Sequence, residues 1–279
     1  MTYKQRLKPS RLKLGLGFIY FVAGLLLFGW LWRQALQSQW HGNDDFSWVE
    51  QGRDSLTVKT LIPEYSKLIF WKIPGNTLVN TSHGYSTYQW KNVFTLGQIE
   101  GQGGRVLIRT SQETLGLAVA GWQAGGKTNL SWWDKLKWWY LTKFKTKQVI
   151  TIDLGETPAW RAGSLSDGSR VWQVVEYQLD QLVNQETFSQ AIAAESLSVS
   201  LVNDRYLSRV IRNHGIELVS VGSQEAVPEQ TTIWVKETAQ KDSLTVSWLK
   251  RLLPQAEVEV GAPEDYWSAI VIVLGKDYN

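Results

Sequence analysis

The chain has 279 residues, no cysteine, 16 tryptophans and a formal net charge of +3, from 29 Lys and Arg against 26 Asp and Glu. Without cysteine it carries neither a disulfide framework nor a thiolate metal site, so its folded part must rest on ordinary hydrophobic cores. Lys4, Arg6, Lys8, Arg11, Lys13 and Arg33 all precede residue 34, leaving 23 basic against 26 acidic residues in the remainder. The basic excess is thus a feature of the N-terminus, and nucleic acid is not expected as a partner.

The first predicted element is a membrane helix. Leu14 to Trp32, LGLGFIYFVAGLLLFGWLW, is uncharged and apolar. Nineteen positions rising 1.5 Å each span roughly 29 Å, close to the hydrocarbon thickness of a bilayer. Tyr20, Trp30 and Trp32 are aromatics suited to the interfaces, and five basic groups before the run against Arg33 after it predict a cytoplasmic N-terminus with the bulk of the chain outside the cell. A cleaved signal peptide would have a shorter apolar region and a small-x-small site, which Ala35-Leu36-Gln37-Ser38 does not supply. The segments expected from this reading are a basic leader (1–13), a transmembrane helix (14–33), a polar loop-like stalk (34–45) and roughly 240 exported residues, enough for two cores.

The exported part alternates between the two periodicities. Strands are predicted at Ser55 to Ile62, Leu68 to Ile73, Leu117 to Ala120 and Gln148 to Leu154, an amphipathic helix within Thr95 to Leu115, and another at Leu130 to Lys143. The tail repeats the alternation: strands at Leu197 to Val202, Gly215 to Val221, Thr231 to Val235 and Ala269 to Leu274, with helices at Arg205 to Asn213 and Asp242 to Leu253. The fold class expected is α/β: a domain over 46–190 and a smaller three- or four-stranded module over 196–279.

Two segments carry possible binding chemistry. Gly121-Trp122-Gln123-Ala124-Gly125-Gly126-Lys127-Thr128 satisfies a phosphate-loop pattern, but an exterior without ATP and a spacing too short for a nucleotide fold favour a Gly-rich surface turn. Trp132, Trp133, Trp138 and Trp139, interleaved with Lys135, Lys137, Lys143, Lys145 and Lys147, form a basic aromatic helix. Such a helix can lie on anionic headgroups or grip an isoprenoid chain. The plainer reading, and the favoured one, has Trp132, Leu136 and Trp139 at i, i+4 and i+7 facing the domain core. His41, His83 and His214 show no ligand spacing and are expected at surface or turn positions; no metal site is predicted.

The tail sequence SLSVSLVNDRYLSRVIRNHGIELVSV, then TTIWVK, a helix and IVIVLGKDY, resembles the C-terminal domain found in LytR-CpsA-Psr proteins, with Asn203, Gly275 and Asp277 on its motif positions across residues 196–278. Upstream, LIPEYSKLIFWKIPGNTLV and the pairs Gly84-Tyr85 and Leu115-Gly116 resemble the catalytic domain of the same family. That resemblance implies transfer of a phosphoglycosyl group from a polyprenyl pyrophosphate carrier to the cell wall. The chemistry needs cations on the pyrophosphate and carboxylates on a divalent metal. Where the family has Arg-Asp after Ile-Pro, this chain has Ile73-Pro74-Gly75-Asn76. Asp54 matches the family's strand-start aspartate or is a solvated strand-edge charge, and the Arg-rich helix expected later is represented only by Arg161 and Arg170. The resemblance therefore implies a non-catalytic binding or scaffolding protein of the cell envelope, without a cofactor, whose partners are the membrane and a polyprenyl-linked glycan, a cell-wall polymer or envelope proteins. The alternative is an active phosphotransferase or pyrophosphatase using Mg²⁺ with Asp54, Arg161 and Arg170. A third reading is a structural tether that needs no ligand.

Overall fold

Leu14 to Trp32 lies inside one 26-residue helix, α1 (Arg11–Leu36). The structure, a computed structural model, describes residues 11–36, 38–40, 45–82, 84–204, 206–224, 226–261 and 265–278, so His41, His83 and most of the basic leader lie outside the described residues. Among the described residues no helix is long and apolar enough to cross a membrane. The crossing expected for Leu14 to Trp32 therefore rests on the sequence. What the structure does show is that α1 leaves Tyr20, Phe21, Leu25, Leu26, Phe28, Trp30, Trp32 and Leu36 exposed.

After α1 the chain forms β1 (Phe46–Gln51), β2 (Ser55–Ile62), β3 (Lys67–Pro74), β4 (Thr77–Asn80), β5 (Thr87–Gln89), α2 (Val93–Ile99), α3 (Arg105–Leu115), β6 (Val119–Ala124), β7 (Lys127–Thr128), α4 (Trp132–Phe144), β8 (Gln148–Asp153), β9 (Trp160–Ser164), β10 (Arg170–Val174) and α5 (Glu176–Thr187). It continues through α6 (Gln190–Ala194), β11 (Val199–Val202), α7 (Leu207–Asn213), β12 (Leu218–Gly222), β13 (Thr232–Val235), α8 (Leu244–Leu252), β14 (Glu257–Val260) and β15 (Ile270–Val273). The result is a mixed α/β fold with three sheets, ordered β7-β6-β1-β2-β3-β8, β5-β4-β10-β9 and β12-β11-β15-β13-β14.

In the main sheet β1, β3, β6 and β8 run in one direction and β2 runs against them, so four strands end at the same edge. Both faces of this sheet are covered. One packs Val49, Val58, Ile69 and Trp71 against the apolar faces of α2, α3 and α5 through Phe94, Leu107, Leu179 and Val183. The other packs Phe46, Trp48 and Leu68 against Trp138 and Leu141 of α4. Trp40, at 2% exposure, belongs to that second core, stacked on Phe46 at 4.9 Å. Within the stalk expected at 34–45, Gln34 to Leu36 belong to α1 and Ser38 to Trp40 are bound to the domain. The single helix expected within Thr95 to Leu115 is two, because Gly101 and Gly103 adopt positive φ and end the first.

The tail module has five strands, one more than the sequence suggested. Its central strand β15 is buried at every position, as a fully apolar strand should be. The missed strand, Glu257–Val260, is an edge strand whose alternating acidic residues gave no continuous apolar signal.

Candidate functional site at the carboxyl edge of the main sheet

Parallel strands that end together leave their last residues facing a common crevice, and in α/β folds ligands bind there. In this chain that edge carries Gln51, Pro74, Ala124 and Asp153 as strand ends. The Arg53-Asp54 turn and the Gly75-Asn76 turn lie beside it, so the sequence-predicted motif is assembled at the position where the fold would favour a site.

The motif's backbone, however, is consumed in joining elements. The N–H of Gly75 donates to the carbonyl of Asp54 at 3.0 Å, and the N–H of Lys91 donates to the carbonyl of Gly75 at 2.9 Å. Gln51 Nε2 then donates to the Lys91 carbonyl at 2.7 Å. A Cβ on Gly75 would stand 2.6 Å from the Asp54 carbonyl oxygen and 3.1 Å from Lys91 Cβ. No side chain fits there, so the departure from Arg is enforced by packing. Asn76 is equally committed: its Nδ2 donates to the carbonyl of Arg170 at 2.9 Å, and its own carbonyl accepts from the N–H of Trp172 at 3.3 Å. Ile73 is buried in the core and Pro74 accepts from Thr77 Oγ1 at 2.6 Å.

The two candidate arginines do not converge, while Asp54 and Arg170 both meet the Gly75-Asn76 turn through their backbone carbonyls. Asp54 is exposed just before β2. Arg161 and Arg170 sit on the β9 and β10 strands and not on a helix. The register pairs Arg161 with Gln173 and Arg170 with Ser164. Opposed residues share a face and neighbours alternate, so Gln173 and Arg170, three apart on one strand, put the two arginines on opposite faces of the hairpin. They cannot clamp one pyrophosphate together. Among the described residues no group of three His, Cys, Asp or Glu side chains could hold a metal ion. With neutral Asn76 already bonded to backbone, the residues at this edge do not fit Mg²⁺.

The β4–β5 connection, the end of α3 and the start of α5 enclose a groove of about 800 Å³ that contains the Gly84-Tyr85 pair. Its charged described lining residues are Glu113 and Glu176. Burial pushes the Glu113 carboxyl up, against the pull of Arg109. Each of these carboxylates is paired with an arginine, Glu113 with Arg109 at 3.0 Å and Glu176 with Arg209 at 3.9 Å.

The remaining sequence candidates have definite places. Gly121 to Thr128 is the β6–β7 hairpin with Gly125-Gly126 at its turn, both at positive φ, and Lys127 Nζ is exposed and donates to Gln98 Oε1 at 3.0 Å. Asn203, Gly275 and Asp277 meet at the ends of β11 and β15. Asn203 Nδ2 donates to the Leu274 carbonyl at 3.1 Å, and Thr231 Oγ1 donates to Asp277 Oδ1 at 2.7 Å while accepting from the N–H of Gly275. These contacts tie strands to one another. His214 lies in the turn that ends α7, one of the two positions expected for it, but it is buried and stacked on Trp248 at 4.4 Å and is not at the surface.

The aromatic helix also departs from the expected core role. Ser131 caps α4 and Asp134 completes a capping box. Asp134 is itself fully buried, its carboxylate accepting from Ser38 Oγ at 2.6 Å and from the Gln39 N–H at 3.2 Å. This burial turns the other side of the helix outward: Trp132 and Trp139 are 44% and 50% exposed, whereas Trp138 packs on Trp40, Phe46 and Trp48. Trp133 donates from Nε1 to the Leu31 carbonyl of α1 at 3.0 Å.

A cluster absent from the sequence reading joins the elements of the two main cores. Arg109 on α3 donates to Glu113 at 3.0 Å and Asp204 at 3.2 Å and lies 3.5 Å from the ring centroid of Tyr278. Arg209 on α7 forks onto Asp180 of α5 at 2.8–3.1 Å and reaches the Glu113 carbonyl at 2.9 Å. The only sequence signal was the i, i+4 spacing of Arg109 and Glu113.

No family model and no curated protein matches the chain. Solved structures do. A Bacillus subtilis TagT crystal structure is 13% identical at a TM-score of 0.41, covering 51% of this chain and 89% of that one. A LytR-CPS2A-psr family protein, YwtF (TagT), solved with bound octaprenyl pyrophosphate lipid, is 14% identical at 0.40 over 50% and 88%. An Enterococcus faecalis protein described as a transcriptional regulator is 11% identical at 0.41 over 62% and 89%. Each of these alignments covers 50–62% of this chain.

Proposed function

We propose that the chain is a membrane-anchored, extracytoplasmic protein of the cell envelope that works without catalysis, as a LytR-CpsA-Psr-like binding or scaffolding component of cell-wall polymer assembly. The observation that carries the non-catalytic reading is the Gly75 junction. The position at which the resembled motif carries its arginine has both backbone groups hydrogen-bonded and no room for a Cβ. The opposed faces of Arg161 and Arg170 support the same reading. Anchoring is supported by the charge asymmetry around Leu14 to Trp32 and by the exposed apolar side chains of α1, a strip that water would not tolerate uncovered.

The test is direct. Full-length protein in detergent with Mg²⁺ and a polyprenyl-pyrophosphate-linked glycan is expected to release no pyrophosphate and transfer no glycan above the protein-free rate. Turnover abolished by Asp54→Asn would establish the phosphotransferase alternative instead.

A further inference from the structure

The outward face of α4 is not explained by a binding or scaffolding role for the domain. Trp132, Trp139, Tyr140 and Phe144 are all exposed large aromatics on one short helix. Trp139 and Tyr140 lean on Phe144 with ring centroids at 5.6 and 5.4 Å, and Lys143 Nζ sits 5.4 Å from the Trp139 ring. Lys135, Lys143, Lys145 and Lys147 are exposed around them, while the helix's one acid, Asp134, is buried and turned inward. An exposed aromatic cluster ringed only by lysines has the composition of a helix lying in a lipid headgroup layer.

Position argues for the same occupant. The first turn of α4 is fastened to the end of α1: Trp133 donates to the Leu31 carbonyl, the N–H of Trp132 donates to Gln34 Oε1 at 3.1 Å, and the rings of Trp30 and Trp132 are 6.1 Å apart. Ser38, Gln39 and Trp40 continue the attachment through Asp134 and Lys137. The exposed aromatic surface of α4 is therefore continuous with that of α1, whose Trp30, Trp32 and Leu36 are also exposed.

We infer that α4 is a second membrane contact, docking its Trp132, Trp139, Tyr140 and Phe144 face into an anionic bilayer surface and so fixing the orientation of the domain that α1 only tethers. This rests on the membrane anchoring proposed for α1. Aromatics supply the apolar insertion, and the lysines supply a charge-dependent contribution that salt screens.

The absence of cysteine allows single labels to be placed in the full-length chain. We would reconstitute Lys135→Cys and Ser166→Cys proteins, spin-labelled at those sites, in vesicles of phosphatidylglycerol and phosphatidylcholine. Ser166 is exposed in the β9–β10 connection and serves as the aqueous reference. Collisions with a neutral nickel chelate in water are expected to be about threefold fewer at position 135 than at 166. The difference should vanish in pure phosphatidylcholine and on adding Trp139→Ser with Phe144→Ser, exposed positions whose loss leaves the circular dichroism unchanged. Equal accessibility at both positions in chains that float with the vesicles would overturn docking while leaving the anchor intact. Chains that fail to float would overturn the anchor and docking together. Protection that appears only when a polyprenyl phosphate is added would overturn the surface reading in favour of a specific lipid.

Discussion

At Gly75 a backbone atom occupies the volume a side chain would need. The Asp54 carbonyl stands 2.6 Å from where a Cβ would go. Overpacking of a buried site typically costs about 1–3 kcal/mol, so Gly75→Ala should lower the unfolding free energy by that order, and Gly75→Arg by more. Restoring the family's Arg-Asp pair should thus weaken the fold without producing turnover, measurable by denaturant titration beside the transfer assay.

His214 is the second residue with an outsized local effect. Burial, with Arg251 nearby, pushes its pKa down from the ordinary 6.5 to about 3. The Asp45 carboxylate 3.7 Å from Nε2 is too far for a hydrogen bond, and the neutral ring makes no ion pair with it at neutral pH. The unfolded chain binds a proton here below about 6.5 and the folded chain does not until about 3. Stability from this group is therefore fully present above 6.5 and falls with pH across that window, by at most about 1.4 kcal/mol per unit. Subtracting the pH profile of His214→Gln from that of the parent should isolate this slope. A flat difference would show that the imidazole is solvated.

At the scale of elements, α4 depends on one buried acid. Asp134 accepts from the Ser131 N–H at 2.9 Å, from Ser38 Oγ and from the Gln39 N–H. Asp134→Ala leaves several donors unpaired at the junction of helix and stalk and should cost about 2 kcal/mol or more. Hydrogen exchange should then accelerate in the first turn of α4 and at 38–40, with the opposite face of the sheet unaffected.

At the scale of the molecule, the two cores are joined by ions and by backbone contacts. Besides the Arg109 and Arg209 clusters, Asn213 Nδ2 donates to the Gly116 carbonyl at 3.1 Å. Domains in contact through so many paired polar groups should unfold together. Arg209→Ala, which leaves the Asp180 carboxylate with only the Asn213 amide and frees the Glu113 carbonyl, should destabilise by about 2 kcal/mol. It should also separate one calorimetric transition into two; a single unshifted transition would show the interface to be energetically idle.

Periodicity and composition by themselves determined the elements built from local signals: the apolar N-terminal helix, the β2–β3 strands, the β8 strand, and the alternating tail with its buried last strand. A residue's own chemistry sets those patterns, since apolar spacing at 2 or 3.6 must be buried on one face. The motif departure at Gly75-Asn76 was legible in the same way. What only tertiary structure decided depends on which atoms meet across long sequence separations. Asp134 looks like a surface charge until Ser38 arrives to bond it, and its burial reverses the face of α4 that the i, i+4, i+7 spacing had assigned to the core. Arg161 and Arg170 are candidates for one site until strand register sends them to opposite faces. Gly75 reads as a lost arginine until the Asp54 carbonyl fills the space beside it. In each case the deciding partner lies on another element, where no local pattern records it.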